Sequence, residues 1–97
     1  MRLVWTDSAK RDLGDIVTYI WFDNPAVARR IRQRIEQTTR YLSFQPYMGR
    51  IGELTDTREA FSPPSYRIVY LVSDETVSIL RVVHTSRQWP PVDNEGA

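Results

Sequence analysis

Apolar positions follow two rhythms along this chain, one helical and one alternating. Leu3, Val4 and Trp5 form a short run that predicts a strand ending at Asp7-Ser8. Ala9, Leu13, Ile16, Val17 and Ile20 then recur as the stripe of an amphipathic helix. Either Asp7 or Ser8 can accept a hydrogen bond from the free amides of the first turn, so the helix is expected to start there. Asp12 and Asp15 lie near its positive end. Asp23-Asn24-Pro25 closes this helix and opens another, with Asn24 as cap and Pro25 in the first turn, where its missing amide is no loss. The second helix runs on to about residue 43, with Ala28, Ile31, Ile35, Thr38 and Leu42 as its seam. Together the two read as an antiparallel hairpin.

Phe44 to Gly52 holds a Pro and two Gly, which predicts a crossing loop. Arg58 to Phe61 is a short strand stopped by Ser62-Pro63-Pro64, and Tyr66 to Val72 is a β-branched and aromatic run. Asp74-Glu75 is the turn to a last strand, Val77 to His84. The expected fold is therefore α+β: an N-terminal strand, the helical hairpin, and a mainly antiparallel C-terminal sheet of three strands. Residues 1–90 make one domain, and the Pro-Pro and polar tail 91–97 is expected to lack order.

A loop of two or four residues centred on Asp74-Glu75 places Val72 opposite Val77 and Arg67 opposite Val82. Parity then puts Arg67, Val69, Leu71, Leu80, Val82 and His84 on one face, and Tyr66, Ile68, Tyr70, Val72, Val77, Ile79, Arg81 and Val83 on the other. A three-residue loop reverses the assignment. Both faces are largely apolar, yet the helices cover only one. The other is expected to be a binding surface for a partner protein.

Composition narrows the classes of function. With 97 residues, 41% of them hydrophobic, the chain has room for one core and no second domain. It has no Cys and one His, which excludes a disulfide framework and a thiolate zinc site and leaves little basis for a dedicated metal site. The longest apolar stretches, Ile16 to Phe22 and Ile68 to Val72, fall far short of the ~20 residues that span a bilayer. No signal-peptide core follows Met1, so reducing cytoplasm is the expected compartment. Net charge is +1, yet every base except Lys10 is Arg. That bias is either a sign of anion recognition or a product of GC-rich coding. Asp7, Asp12, Asp15 and Asp23 crowd the first helix, while Arg29, Arg30, Arg32, Arg34 and Arg40 crowd the second. The two segments either attract each other or present solvated faces.

Several fragments in fixed order carry a resemblance. Ala9, Asp12-Leu13, Ile16 and Tyr19-Ile20 precede Asn24-Pro25 and Ala28. Pro46-Tyr47-Met48-Gly49-Arg50, Arg58-Glu59 and Tyr66-Arg67-Ile68-Val69-Tyr70 follow, and Ile79 to Pro90 ends in His84-Thr85-Ser86-Arg87-Gln88-Trp89-Pro90. From Leu3 to Pro90 the chain resembles the RelE/ParE toxin superfamily, within it the ParE-like branch. The resemblance implies a small cytoplasmic bacterial toxin, encoded beside a ParD-like antitoxin that neutralises it, with no cofactor. ParE-like members poison DNA gyrase; RelE-like members cut mRNA on the ribosome. These are different functions on one fold.

For the nuclease branch the resemblance offers Glu53 as acid, Arg67 as the match to the arginine such nucleases carry in the same strand motif, and His84 as base or acid, with Arg81 and Arg87 to hold phosphates. Arg67 has a second reading, as a structural arginine reaching a carboxylate such as Glu59. RelE-type nucleases also rely on mid-chain lysines and often a late Tyr, but this chain has no Lys after Lys10 and no Tyr after Tyr70. The ending His84, Arg87, Trp89 resembles the ParE branch. There Arg81, His84, Arg87 and Trp89 are the expected gyrase contacts, Arg and Trp being residues that dominate interface hot spots. Trp89 packed back on Trp5 or the sheet is the alternative. Tyr19 and Phe22, off the first helix's core stripe, Trp21 at its margin, and Arg30 and Arg34 on the second helix form the expected antitoxin groove. A plain nucleic-acid binder is a third class, with no stacking platform beside its arginines.

Overall fold

Thr6 begins the first helix. In the computed structural model, which describes residues 1–92, its hydroxyl oxygen accepts the Ala9 amide at 3.2 Å and donates to the Ile79 carbonyl at 2.8 Å. The cap therefore also ties the helix to the sheet, and Asp7 and Ser8, expected there, lie exposed in the first turn. Helix α1 spans Asp7–Trp21 and α2 spans Pro25–Phe44. Asn24 caps α2 through the Val27 amide, with Pro25 in the first turn as expected.

The α2 seam is Ala28, Ile31, Ile35, Thr39 and Leu42. Thr39 replaces the expected Thr38, which sits one position off the buried line. Thr38 donates to the Arg34 carbonyl and shares a hydroxyl–hydroxyl hydrogen bond with Ser62, so it anchors the helix to the sheet's flank. Between the helices the contact is apolar, through Leu13, Ile31 and Ile35 with Ile16, Val17 and Ile20 at the margin. Among the described residues no ion pair joins α1 to α2. Asp12 pairs instead with Arg81 of the sheet, and Arg32 with Glu36 on the same helix.

Five strands form one mixed sheet, one more than the expected N-terminal strand and C-terminal three: β1 (Arg2–Trp5), β2 (Arg50–Ile51), β3 (Thr57–Ser62), β4 (Tyr66–Ser73) and β5 (Thr76–His84), in the order β1-β5-β4-β3-β2. β1 lies parallel to β5 at one edge, from Arg2 opposite Thr76 to Trp5 opposite Ile79. β2 forms the other edge inside the segment expected to be a loop, pairing Arg50 with Glu59 and Ile51 with Arg58. The helices pack on the face carrying Ile68, Tyr70, Val77 and Ile79, all fully buried.

The β4–β5 hairpin turns through Asp74-Glu75, with Asp74 at φ 50°, a left-handed conformation for which Asp is enriched. Val72 faces Val77 as expected. Beyond Tyr70–Ile79 the register shifts: Val69 faces Arg81, Ile68 faces Val82, Arg67 faces Val83 and Tyr66 faces His84. Leu80 is thus the extra residue of a β-bulge, and one extra residue exchanges the two faces from there on. Val82 and His84 join the helix-side face, while Arg81 and Val83 pair into the far one, the reverse of the expected assignment.

The far face is not bare. The segment after β2 folds over it, donating Gly52 N–H to the Thr57 carbonyl and Glu53 N–H to Glu59. Past the end of β5, Trp89 returns over Arg81. Val69 and Val83 are buried there, so the broad exposed sheet face expected from the sequence is absent. Pro91 and Val92 have no regular secondary structure; the remainder of the expected tail, 93–97, lies outside the described residues.

Candidate functional site

Because β1 stops opposite Ile79, the upper edge of β5 is free, and α1 lies across it. Asp12 fills the gap. One carboxylate oxygen accepts the Val82 amide at 2.9 Å and Arg81 Nε at 2.7 Å; the other accepts Arg81 Nη2 at 3.2 Å. The side-chain hydrogen bonds to Asp12 outweigh partial burial and raise the Arg81 pKa above its ordinary value. The Trp89 ring lies 5.6 Å from this guanidinium, and the indole nitrogen is buried with no partner. Trp89 is thus half-buried against the sheet rather than free at a loose terminus.

A groove of ≈ 640 Å³ runs between α1 and the end of β5, with Asp15, Tyr19, Tyr66, Arg81, His84 and Arg87 among its walls. His84 Nδ1 accepts the Ser86 amide at 3.0 Å, and its ring meets Tyr66 edge-on at 5.3 Å. A nitrogen that accepts here carries no proton, so the neutral ring holds its proton on Nε2. The Arg87 amide donates to the His84 carbonyl, which turns the chain, and the Arg87 side chain is exposed. The structure therefore brings Arg81, His84 and Arg87 to one groove, with Trp89 stacked on the first.

Of the nuclease candidates, Glu53 and Arg67 do not join the groove that holds Arg81, His84 and Arg87. Arg67, on the far face, pairs through Nε with Glu59 Oε1 at 3.2 Å, the structural role considered from the sequence. Arg50 reaches the same oxygen at 2.8 Å, and the Glu53 amide donates to Oε2 at 3.1 Å. Burial works against the charge on Glu59, but the Glu53 amide and the two guanidinia prevail, so its pKa is lowered from the ordinary 4.5. Glu53 contributes this backbone amide while its residue stands exposed. Arg81 is neutralised by Asp12, and the bulge at Leu80 sends His84 to the face opposite Arg67. The expectation that Arg67 and His84 share a face fails for that reason.

The motif Pro46-Tyr47-Met48-Gly49-Arg50 proves to be a clamp. The Tyr70 hydroxyl donates to the Pro46 carbonyl at 2.8 Å and accepts the Gly49 amide at 2.9 Å. A Cβ on Gly49 would lie within 3 Å of that hydroxyl and of the Glu59 carbonyl, so glycine is required by the close approach. Arg58 lies 5.0 Å from the Tyr47 ring centroid and donates to the Gly49 carbonyl.

At the far end of α1, Tyr19 and Phe22 are 82% and 85% exposed, and Trp21 lies beneath Arg29 at 6.0 Å. Arg30 and Arg34 are exposed as well. Arg34, however, borders a separate hollow with Tyr41, Met48, Phe61 and Pro63. This second apolar surface was not foreseen; its signal is that Tyr41 and Phe44 fall off the α2 seam. Among the described residues no group of three or more His, Asp or Glu stands together to hold a metal, and no helix is long and apolar enough to cross a membrane.

Comparison with known proteins agrees with this architecture. The family model described as the ParE toxin of type II toxin-antitoxin system, parDE, matches residues 3–89. Y4kP of Sinorhizobium fredii is 39% identical over 92 residues, covering 94% of this chain and 95% of that protein. Toxin RelE2 of Caulobacter vibrioides is 36% identical over 86 residues, covering 89% and 97%. Among solved structures, the chromosomal ParDE TA system from P. aeruginosa superposes with a TM-score of 0.78 at 24% identity, covering 87% of this chain and 95% of that one. The toxin–antitoxin complex RelBE2 of Mycobacterium tuberculosis gives 0.60 at 31% identity, covering 86% and 95%.

Proposed function

The chain belongs to the ParE toxin family of type II toxin–antitoxin systems, and on that premise we propose that it arrests bacterial growth in the cytoplasm by poisoning DNA gyrase and is silenced by a ParD-like antitoxin. The observation that carries this reading is the dispersal of the nuclease candidates. Cleavage by 2′-hydroxyl attack needs a base, an acid and an uncommitted cation around one phosphate. Here Arg67 is committed to Glu59 on the face opposite His84 and Arg81 is committed to Asp12, which leaves Arg87, among the described residues, as the one uncommitted candidate cation beside His84. Arg81, His84, Arg87 and Trp89 instead make a polar and aromatic surface suited to gripping a protein. The largely exposed Tyr19 and Phe22 suit the apolar face of an amphipathic helix, and exposed Arg30 on α2 suits acidic residues on it.

Expression without antitoxin should halt replication and break chromosomal DNA while messenger RNA stays intact. A ribosome-dependent mRNA endonuclease is the second reading, favoured by the likeness to a toxin named RelE2 and to the RelBE2 complex. It requires the opposite outcome, cleaved transcripts with intact DNA, abolished by His84→Ala.

A further inference from the structure

β1 ends the sheet on the side away from β2, and no strand pairs with its outer edge. The Arg2 amide donates to the Glu75 carbonyl and the Thr6 amide to the Ile79 carbonyl, so the backbone groups of Arg2, Val4 and Thr6 turn to β5. Alternation turns the amides and carbonyls of Leu3 and Trp5 outward. Among the described residues these outward groups have no partner, and neither residue is buried. Sheet edges are protected by lysines, prolines, bulges or shortness. From Leu3 to Trp5 this edge has only the last, on a strand of four residues.

Polarity along the edge is symmetric about Val4. Leu3 and Trp5 pack toward the helices, and the pleat sends Val4, half-buried, to the far face with Arg2. Arg2 at one end is exposed, and so is Asp7, just past Thr6 at the other. Neither makes an ion pair among the described residues. Reversed upon itself, the segment sets Leu3 against Trp5, Val4 against Val4, and Arg2 against Thr6 beside Asp7. Every outward amide and carbonyl is then satisfied, because Leu3 and Trp5 form the pairs that exchange both bonds. Centring the reversal on Leu3 or on Trp5 instead sets the other residue opposite Met1 or Asp7, outside the strand.

We propose that two copies of this chain pair antiparallel through β1 about a two-fold axis at Val4, joining their sheets into one and placing Arg2 of each copy beside Asp7 of the other. The complement of an arginine, an apolar centre and an aspartate is the same series reversed, which a second copy supplies. A contact built on four residues of edge is smaller than the roughly 1,200–2,000 Å² of stable complexes, so the dimer forms at high concentration and dissociates on dilution. The pairing uses neither the ridge of Tyr19 and Phe22 nor the groove of Arg81, His84 and Arg87, so it stands apart from the antitoxin and gyrase readings.

The test is sedimentation equilibrium of the full chain, recovered from its antitoxin complex, from micromolar to millimolar concentration, with hydrogen exchange across the same range. A monomer–dimer equilibrium is expected, and the Leu3 and Trp5 amides should exchange more slowly as concentration rises. Val4→Lys sets two ammonium groups together on the axis and should raise the dimer Kd about tenfold, while Val4→Ile keeps it. Arg2→Glu and Asp7→Arg should each weaken the dimer several-fold, and the two together should restore it, which a misfolded variant would not do. A chain that stays monomeric throughout overturns the proposal. So does a dimer that leaves the Leu3 and Trp5 amides unprotected or survives Val4→Lys unchanged. Protection of these amides only in the antitoxin complex, with antitoxin affinity lost in Val4→Lys, assigns the edge to the antitoxin and overturns it as well.

Discussion

Removing one oxygen, by Tyr70→Phe, asks how firmly the segment carrying Met48 and Arg50 is held. The ring is fully buried and its hydroxyl serves two backbone groups, the Pro46 carbonyl and the Gly49 amide. Burial raises the phenol's pKa above its ordinary 10.0, so the group is neutral at physiological pH and donates. Each bond contributes about 1 kcal/mol net, and an amide left unpaired in the buried Gly49 adds roughly 1 more, for a loss of about 2–3 kcal/mol. Unfolding entropy of about 2.1 cal/mol/K per residue gives this 97-residue chain roughly 0.2 kcal/mol/K, so Tm should fall by about 10–15 °C. Circular dichroism melts at neutral pH measure this directly, and exchange of the Gly49 amide should speed in parallel. A fall of less than about 3 °C would refute the reasoning, because it would mean that water serves both groups as well as the phenol does.

Glu59→Gln should cost about 3 kcal/mol at neutral pH by leaving two arginines without their shared carboxylate in a largely buried site. Since the folded-state pKa of Glu59 lies below its ordinary 4.5, this stability is fully present above that value and is lost as pH falls through the lower one. Urea titrations of wild type and variant should therefore differ most at pH 7 and converge in strong acid; a gap that widened on acidification would contradict the pairing. Phe22→Glu, at an exposed position, should weaken antitoxin binding by calorimetry without moving Tm, and an unchanged affinity would remove the α1 ridge from the interface. Replacing Arg87 and Trp89 together by Ala should abolish toxicity in cells while antitoxin affinity holds; retained toxicity would exclude this surface as the target contact.

The two helices were legible because burial imposes a period on them. Ala9, Leu13 and Ile16 on one, and Ala28, Ile31, Ile35 and Leu42 on the other, leave a mark that neither cap chemistry nor charge obscures. Thr38 and Thr39 show the limit, since adjacent residues of one type differ in burial and Thr38 is held by a bond to Ser62, 24 residues further along the chain. β2 was not legible, because Arg50-Ile51 is too short for alternation and lies among glycines. Nor was the bulge, because Leu80 stands in an apolar run whose composition reads alike in either register. That one residue decided the site by parting His84 from Arg67. The pairing of Arg67 with Glu59 was within reach of the sequence, as an arginine in an apolar strand needs a carboxylate. The pairing of Arg81 with Asp12 was not, since the two lie 69 residues apart and meet only because β1 is short.

Supercoiling of relaxed plasmid by purified gyrase, with this protein added at rising ratios and its antitoxin as the reversal control, tests the central claim most directly. The account predicts that supercoiling falls, cleaved DNA accumulates, and antitoxin restores both. Gyrase left fully active by protein that is folded and toxic in cells would contradict it, and would make ribosome-dependent cleavage of messenger RNA the leading function of this chain.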